Sequence, residues 1–170
     1  MIGRLLPLLI FLLASEALAE AAAPSKLAID DFVYLDTSGE PRDQTAEHAA
    51  RLAAMAVALR GELAESGLFE VVALAADGDE AACPEDGGAC VLARARDSGA
   101  DLLLLGAVQK ISTMATQVWV SAFDVATAER VFYRHLSFRG DTDEAWQRAS
   151  RYLTREIKTD PPRTPRGKGL

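Results

Sequence analysis

The sequence predicts one mixed α/β domain with the order β-α-β-α-β-β-β-α. Strand-like runs alternate with helix-period segments through its first half, and Leu102 to Val108 form an unbroken apolar run. The second half changes to two strand-like segments joined by four residues. Alternating strands and helices imply right-handed parallel crossovers, an all-apolar run suits a strand covered on both faces, and a short connection implies a hairpin. One mixed sheet follows, parallel in its first half and ending in an antiparallel hairpin.

Each element has its own signal. Residues 26–35, KLAIDDFVYL, carry β-branched and aromatic residues between Pro24 and the turn-like Asp36–Gly39, and read as a strand. From about Thr45 to Ser66, Ala49, Leu52, Ala56, Leu59 and Leu63 recur at steps of three and four on one helical face, and Gly67 supplies the stop. LFEVVAL at 68–74 is a second strand, and Ala89 to Ser98 is a helix that Gly99 can end. The run from Asp101 to Val108 is the buried strand. Thr116–Val125 and Arg130–Phe138 form the hairpin around Ala126–Glu129. Asp141 is placed as the N-cap of the last helix, with Glu144 completing a capping-box-like pair and Trp146, Ala149, Leu153 and Ile157 on the inner face.

The ends of the chain have a different composition. Arg4 precedes the apolar run Leu5–Ala14, and Ala17-Leu18-Ala19 offers small residues at the positions a signal peptidase reads, so residues 1–19 are expected to be a secretory signal. The run is too short to span a bilayer. Residues 20–25 are expected to be a flexible mature N-terminus, 26–158 the domain, and 159–170 a disordered tail with too little apolar content to order itself. An exported chain without disulfide-rich character points to the bacterial periplasm, and no later segment is apolar enough to span the membrane. The formal net charge of −7 argues against nucleic acid, because the only basic-leaning stretch is the tail around Arg163, Arg166 and Lys168.

Cys83 and Cys90 bracket the acidic loop CPEDGGAC. A thioredoxin-type centre needs two intervening residues rather than six. A zinc site needs four ligands, while the chain has only His48 and His135, both distant in sequence. In an oxidising compartment a disulfide staple is expected. Asp77, Asp79, Glu80, Glu85 and Asp86 suggest calcium, but counting from Asp77 the fifth, sixth and twelfth loop positions are Ala81, Ala82 and Gly88, which fails the EF-hand pattern. A looser hard-cation site remains an expectation there, together with Asp30 and Asp31 at the end of the first strand.

No grouping names a reaction. His48 is expected on the helix surface and His135 on a sheet face, and no GxSxG elbow or glycine-rich phosphate loop occurs. Asp30 and Asp31 should point to opposite faces of a regular strand, and Asp30 and Asp36 could share a face only if the strand stayed regular between them. Turn capping is the better account of these acids. Trp119 and Phe123 share one face of a hairpin strand and Tyr133 and His135 one face of its partner. That aromatic surface could receive a partner, although coverage by a helix is the ordinary expectation.

The phrases Leu27-Ala28-Ile29-Asp30-Asp31-Phe32 and Leu63 to Val72, then Gly99 to Gly106, Asp124, Gly140 and Trp146, resemble the periplasmic α/β domain shared by the amino-terminal part of TolB, CsgG and FlgO-like flagellar accessory proteins. The resemblance spans about residues 27–157 and also covers small periplasmic proteins built from this domain alone. It lacks a propeller, a lipid-anchor cysteine and a membrane-spanning hairpin, and Ala128 stands where the family's turn commonly ends in glycine. The resemblance implies a non-enzymatic periplasmic interaction module of an envelope assembly, without cofactor, whose partner is an envelope or periplasmic protein. The alternative is a small-ligand or hard-cation binder serving an exported oxidoreductase or transporter.

Overall fold

The computed structural model describes residues 23–75, 83 and 87–164. The expected signal (1–19), the acids Asp77, Asp79, Glu80, Glu85 and Asp86, and residues 165–170 lie outside the described residues. The elements are β1 (Ser25–Ile29), β2 (Val33–Asp36), α1 (Thr45–Glu65), β3 (Phe69–Val72), α2 (Gly88–Asp97), β4 (Leu102–Ser112), β5 (Ala115–Asp124), β6 (Arg130–Arg139) and α3 (Asp143–Thr159). The strands form one sheet in the order β3-β1-β4-β5-β6, with β2 also paired to β4. β3, β1, β2 and β4 pair in parallel, and β4, β5 and β6 pair antiparallel. The mixed α/β class read from the sequence is the class observed.

The strand expected at 26–35 is two strands, and the break has a physical purpose. Ile29 pairs with Leu104 and Val33 with Ala107, so four steps on one strand span three on β4, which is the one-residue excess of a bulge. An excess of one residue exchanges the faces of everything after it. Ile29 points into the main core, and the following odd positions Val33 and Leu35 point out, while Phe32 and Tyr34 turn inward instead. Phe32 lies flat against Gly106: a Cβ at that position would stand 2.5 Å from the ring.

α1 and α3 cover one sheet face. Met55, Leu59 and Leu63 pack with Trp146, Ala149, Leu153 and Ile157 over Leu27, Leu102, Leu104, Val108, Val118 and Val120. Each large aliphatic chain buried there contributes about 1.5–3 kcal/mol. The inner face expected for α3 is the one observed. That of α1 is rotated slightly, since Ala49 is exposed and Met55 takes its share of the core. α2 packs on the opposite face, where Ala95 joins Ala28, Ala100, Leu103 and Val125. Cys90 in its first turn is disulfide-bonded to Cys83, with Cα atoms 5.7 Å apart. Beyond α3, Asp160 bonds Arg134 at 2.6 Å and Pro162 is buried.

The β5–β6 turn is built on Asp124. Its Oδ1 accepts from the Thr127 amide at 2.8 Å and the Thr127 hydroxyl at 3.1 Å, and its carbonyl accepts from Ala128 N. Ala128 adopts φ 60°, a left-handed conformation that costs an L-residue about 1 kcal/mol. Ala128→Gly is therefore expected to raise stability by about 0.5–1 kcal/mol in urea unfolding. A loss of stability would contradict this account of the turn.

Candidate functional site

Beneath the N-terminal turns of α1 and α3, polar side chains from five segments converge. Gly140, at φ +85°, makes the turn out of β6, and Asp141 follows it into the interior. Asp141 Oδ1 accepts from Arg51 Nη1 at 2.9 Å and Trp146 Nε1 at 3.0 Å. Its Oδ2 lies 2.8 Å from His48 Nε2 and 3.0 Å from Lys110 Nζ. Lys110, at an inward position of β4, donates to Glu40 Oε2 at 2.7 Å and to Gln44 Oε1. Arg51 also reaches Asp143 at 2.7 Å. The Tyr34 ring stacks on His48 with centroids 4.5 Å apart, and Trp146 lies beside both, 6.0 Å from His48 and 6.3 Å from Tyr34.

Lys110 and His48 are 1% and 2% exposed, so the Lys110 ammonium is held away from bulk solvent. Burial pushes the Asp141 carboxyl upward, but the hydrogen bonds from His48, Lys110 and Trp146 outweigh it and hold the group at about 2. For Lys110 burial works downward, and its bonds to Glu40 and Asp141 leave it above the ordinary lysine value. Burial, then the Asp36 and Asp141 carboxylates, raise Tyr34, which stays protonated. The groups bond chiefly one another and tie the α1 and α3 entries to β4 as a clamp, with Asp143 its exposed member.

Two sequence expectations are corrected here. His48 is a buried partner of Asp141 rather than a surface helix residue. Asp141 is not the N-cap of α3: Thr142 is, its Oγ1 accepting from Ala145 N at 3.3 Å, because the clamp's donors draw the Asp141 carboxylate inward. The signal was present in the sequence. His48 continues the step of three and four through Leu52, Met55 and Leu59, and Lys110 continues the alternation of Leu104 and Val108 on β4.

The other sheet face is organised differently. Val33, Ala107, Trp119 and His135 are successive register partners across β2, β4, β5 and β6. Trp119 and His135 stack, with centroids 5.5 Å apart and planes 12° from parallel. Tyr133, opposite Ser121, carries the Arg130 guanidinium 5.1 Å over its ring. Trp119 and Phe123 are half-buried, and Tyr133 and His135 are exposed. None of the four belongs to either hydrophobic cluster. The expectation that a helix covers this aromatic surface is therefore not met among the described residues: α2 reaches only the end around Ala28 and Leu103. The residues nominated at that face do come together.

The acids nominated for a ligand do not converge where they are described. Asp30, raised by burial, feels Arg94, while Asp31 pairs with Arg60 at 2.8 Å. Asp36 accepts from the Ser38 amide and hydroxyl, a turn-capping role, and the bulge removes the regular strand that would have aligned it with Asp30. Among the described residues no three His, Cys, Asp or Glu side chains could hold a metal ion. None of the described helices is long and apolar enough to cross a membrane.

A family model described as "Protein of unknown function (DUF2380)" matches residues 25–157. The chain belongs to that family. No curated protein sequence matches it. Among solved structures, the PelC dodecamer from Paraburkholderia phytofirmans is similar in fold, with TM-score 0.55 at 15% identity over 85% of this chain and 92% of that one. The hypothetical protein CT253 from Chlamydia trachomatis is similar with TM-score 0.52 at 11% identity over 80% and 96%. TolB from Acinetobacter baumannii gives TM-score 0.46 at 13% identity over 82% of this chain and 29% of that one.

Asp141→Asn is expected to cost about 3–5 kcal/mol, because it leaves Lys110 and Arg51 buried without their shared anion. The depressed Asp141 value contributes stability that is present above the ordinary carboxyl value near 4 and lost as pH falls through about 2, a term of about 2 kcal/mol. Urea unfolding between pH 5 and 2 checks both: the variant should be weaker at pH 5 and show a shallower acid decline than the native chain.

Proposed function

We propose that the protein is a non-enzymatic interaction module of a cell-envelope assembly, located in the periplasm, and that the uncovered aromatic sheet face receives its protein partner. The observation that carries this reading is the row Val33, Ala107, Trp119 and His135, flanked by Leu35 and Tyr133, on a face that the described helices leave open. Large aromatic rings on a flat sheet supply contact area at low conformational cost, which is how interface centres are built. The clamp supports a non-catalytic reading, since its titratable groups are spent on one another inside the fold. The signal-like N-terminus and the resemblance to TolB-, CsgG- and FlgO-like domains support the location.

In-cell crosslinking and affinity purification of the tagged chain, followed by mass spectrometry, tests this. One reproducible envelope or periplasmic protein should be retained. Trp119→Ser or Tyr133→Ser should weaken its capture by about thirtyfold, as expected for truncating a central anchor worth about 2 kcal/mol, with circular dichroism unchanged. Arg148→Ala on α3 should leave capture intact. A partner retained equally by all three variants would contradict the assignment of this face.

A further inference from the structure

β6 ends the sheet. It spans ten residues, against four for β3 at the other end, and among the described residues no strand pairs with its outer side. The backbone phase of that edge follows from the turn after it. Gly140 N donates to Met114 O at 3.2 Å, and opposed residues of an antiparallel pair alternate between bonded and unbonded. Along the regular register from Arg139 to Phe132, Phe138, Leu136 and Arg134 therefore spend their N–H and C=O groups on β5. Arg139, Ser137, His135 and Tyr133 turn theirs outward. The Tyr133 carbonyl accordingly accepts from a side chain, Arg134 Nη1 at 2.9 Å. These same four residues are exposed, so the edge is open.

The edge also carries one sign of charge. β6 holds Arg130, Arg134 and Arg139 and no carboxylate, in a chain of net charge −7. Glu129 lies outside the strand, in the turn before it. The neighbouring outward positions of β5, from Gln117 through Trp119 to Phe123, add no acid. Arg134 is taken by Asp160 at 2.6 Å and Glu156 at 3.6 Å. Arg130, over the Tyr133 ring, and Arg139, exposed near the β4–β5 turn, have no carboxylate partner among the described residues. A second copy of β6 would bring three more arginines and no anion, so like charge disfavours pairing of the strand with itself. An acidic strand meets complementary charge instead.

We infer that the partner presents an acidic segment in extended conformation, which adds to the sheet as a strand along β6. The inference rests on the partner reading above and names the chemistry that partner must carry. Main-chain bonds to His135, Ser137 and Arg139 dock the segment, and its carboxylates meet Arg130 and Arg139. Those two arginines lie about 30 Å apart along the strand, so a segment of about ten residues spans them. Side chains of paired residues share a face. Those set opposite Tyr133 and His135 therefore fall on the aromatic surface, beside the stacked Trp119 and His135 rings. The open edge and the open face are thus read by one segment.

A fluorescein-labelled peptide of alternating glutamate and valine, about ten residues long to match the strand, is the probe, and its lysine and valine counterpart the control. Anisotropy titration with the purified full chain should show binding of the acidic peptide, weakened by salt, and binding of the lysine peptide weaker by about tenfold or more. The acidic peptide should slow amide hydrogen exchange at His135, Ser137 and Arg139, and change Leu136 and Phe138, already bonded to β5, far less. Ser137→Pro removes an N–H that faces outward and none that bonds β5, so it should keep the native circular dichroism and weaken binding about tenfold. Arg139→Glu should weaken it similarly without touching the backbone, which keeps the test sharp if the proline variant fails to fold. Absent or equal binding of the two peptides, unprotected His135 and Ser137 amides, or native binding by both variants would each overturn the inference. Cellular capture separates it from the reading on which it rests. A partner lost in Trp119→Ser but kept in Ser137→Pro and Arg139→Glu contradicts strand addition alone, whereas one kept in Trp119→Ser but lost in the other two contradicts the aromatic face alone.

Discussion

The fold turns on a lysine placed where a strand should carry an aliphatic residue. Lys110 points inward from β4, and its ammonium can be kept there only if anions and acceptors are brought to it. Asp141 comes from the β6–α3 turn, and Glu40 and Gln44 come from the segment leading into α1. Arg51 and His48 on α1 then complete the shell around Asp141. One buried charge therefore fixes the relative positions of the sheet, the α1 entry and the α3 entry. Such clusters add little net stability compared with well-packed apolar replacements, but breaking one is costly, so their effect is to specify a single arrangement. With α1 and α3 locked this way, the sheet has one closed side.

Its other side, which the described helices leave open, takes its character from the one-residue bulge between β1 and β2. Without that excess residue Val33 and Leu35 would follow Ile29 into the core. With it they join Trp119 and His135 on the outer face, and Phe32 and Tyr34 take the inward places. Phe32 fits because Gly106 has no side chain, and Tyr34 fits because its ring has His48 to stack on. The bulge, the glycine and the clamp are thus parts of one arrangement, which assigns every side chain of β2 to a face. It also sets the aromatic surface on the side of the sheet opposite α1 and α3.

Much of this was legible in the sequence. The alternation of elements, the all-apolar run of β4, the hairpin and the inner face of α3 follow directly from periodicity, and the observed architecture has them. The bulge was not legible, because KLAIDDFVYL keeps strand-like composition throughout and nothing in composition marks a one-residue excess. The clamp was hidden for another reason. His48, Lys110 and Asp141 lie far apart in the chain, and each has a commoner solitary reading as a surface histidine, a solvated lysine or a helix cap. Positional phase would have shown the first two, since both occupy inward places in an otherwise apolar pattern.

The central claim is that one sheet face is sealed and the other open, and the chain's two tryptophans report on the two sides separately. Trp146 is 3% exposed within the clamp, while Trp119 lies half-buried on the aromatic face. Acrylamide quenching of Trp119→Phe and Trp146→Phe, each with one tryptophan left, measures this directly. The account predicts strong quenching of Trp119 and weak quenching of Trp146 in the folded protein, converging on unfolding. Equal protection of both would show that the aromatic face is covered and would contradict it.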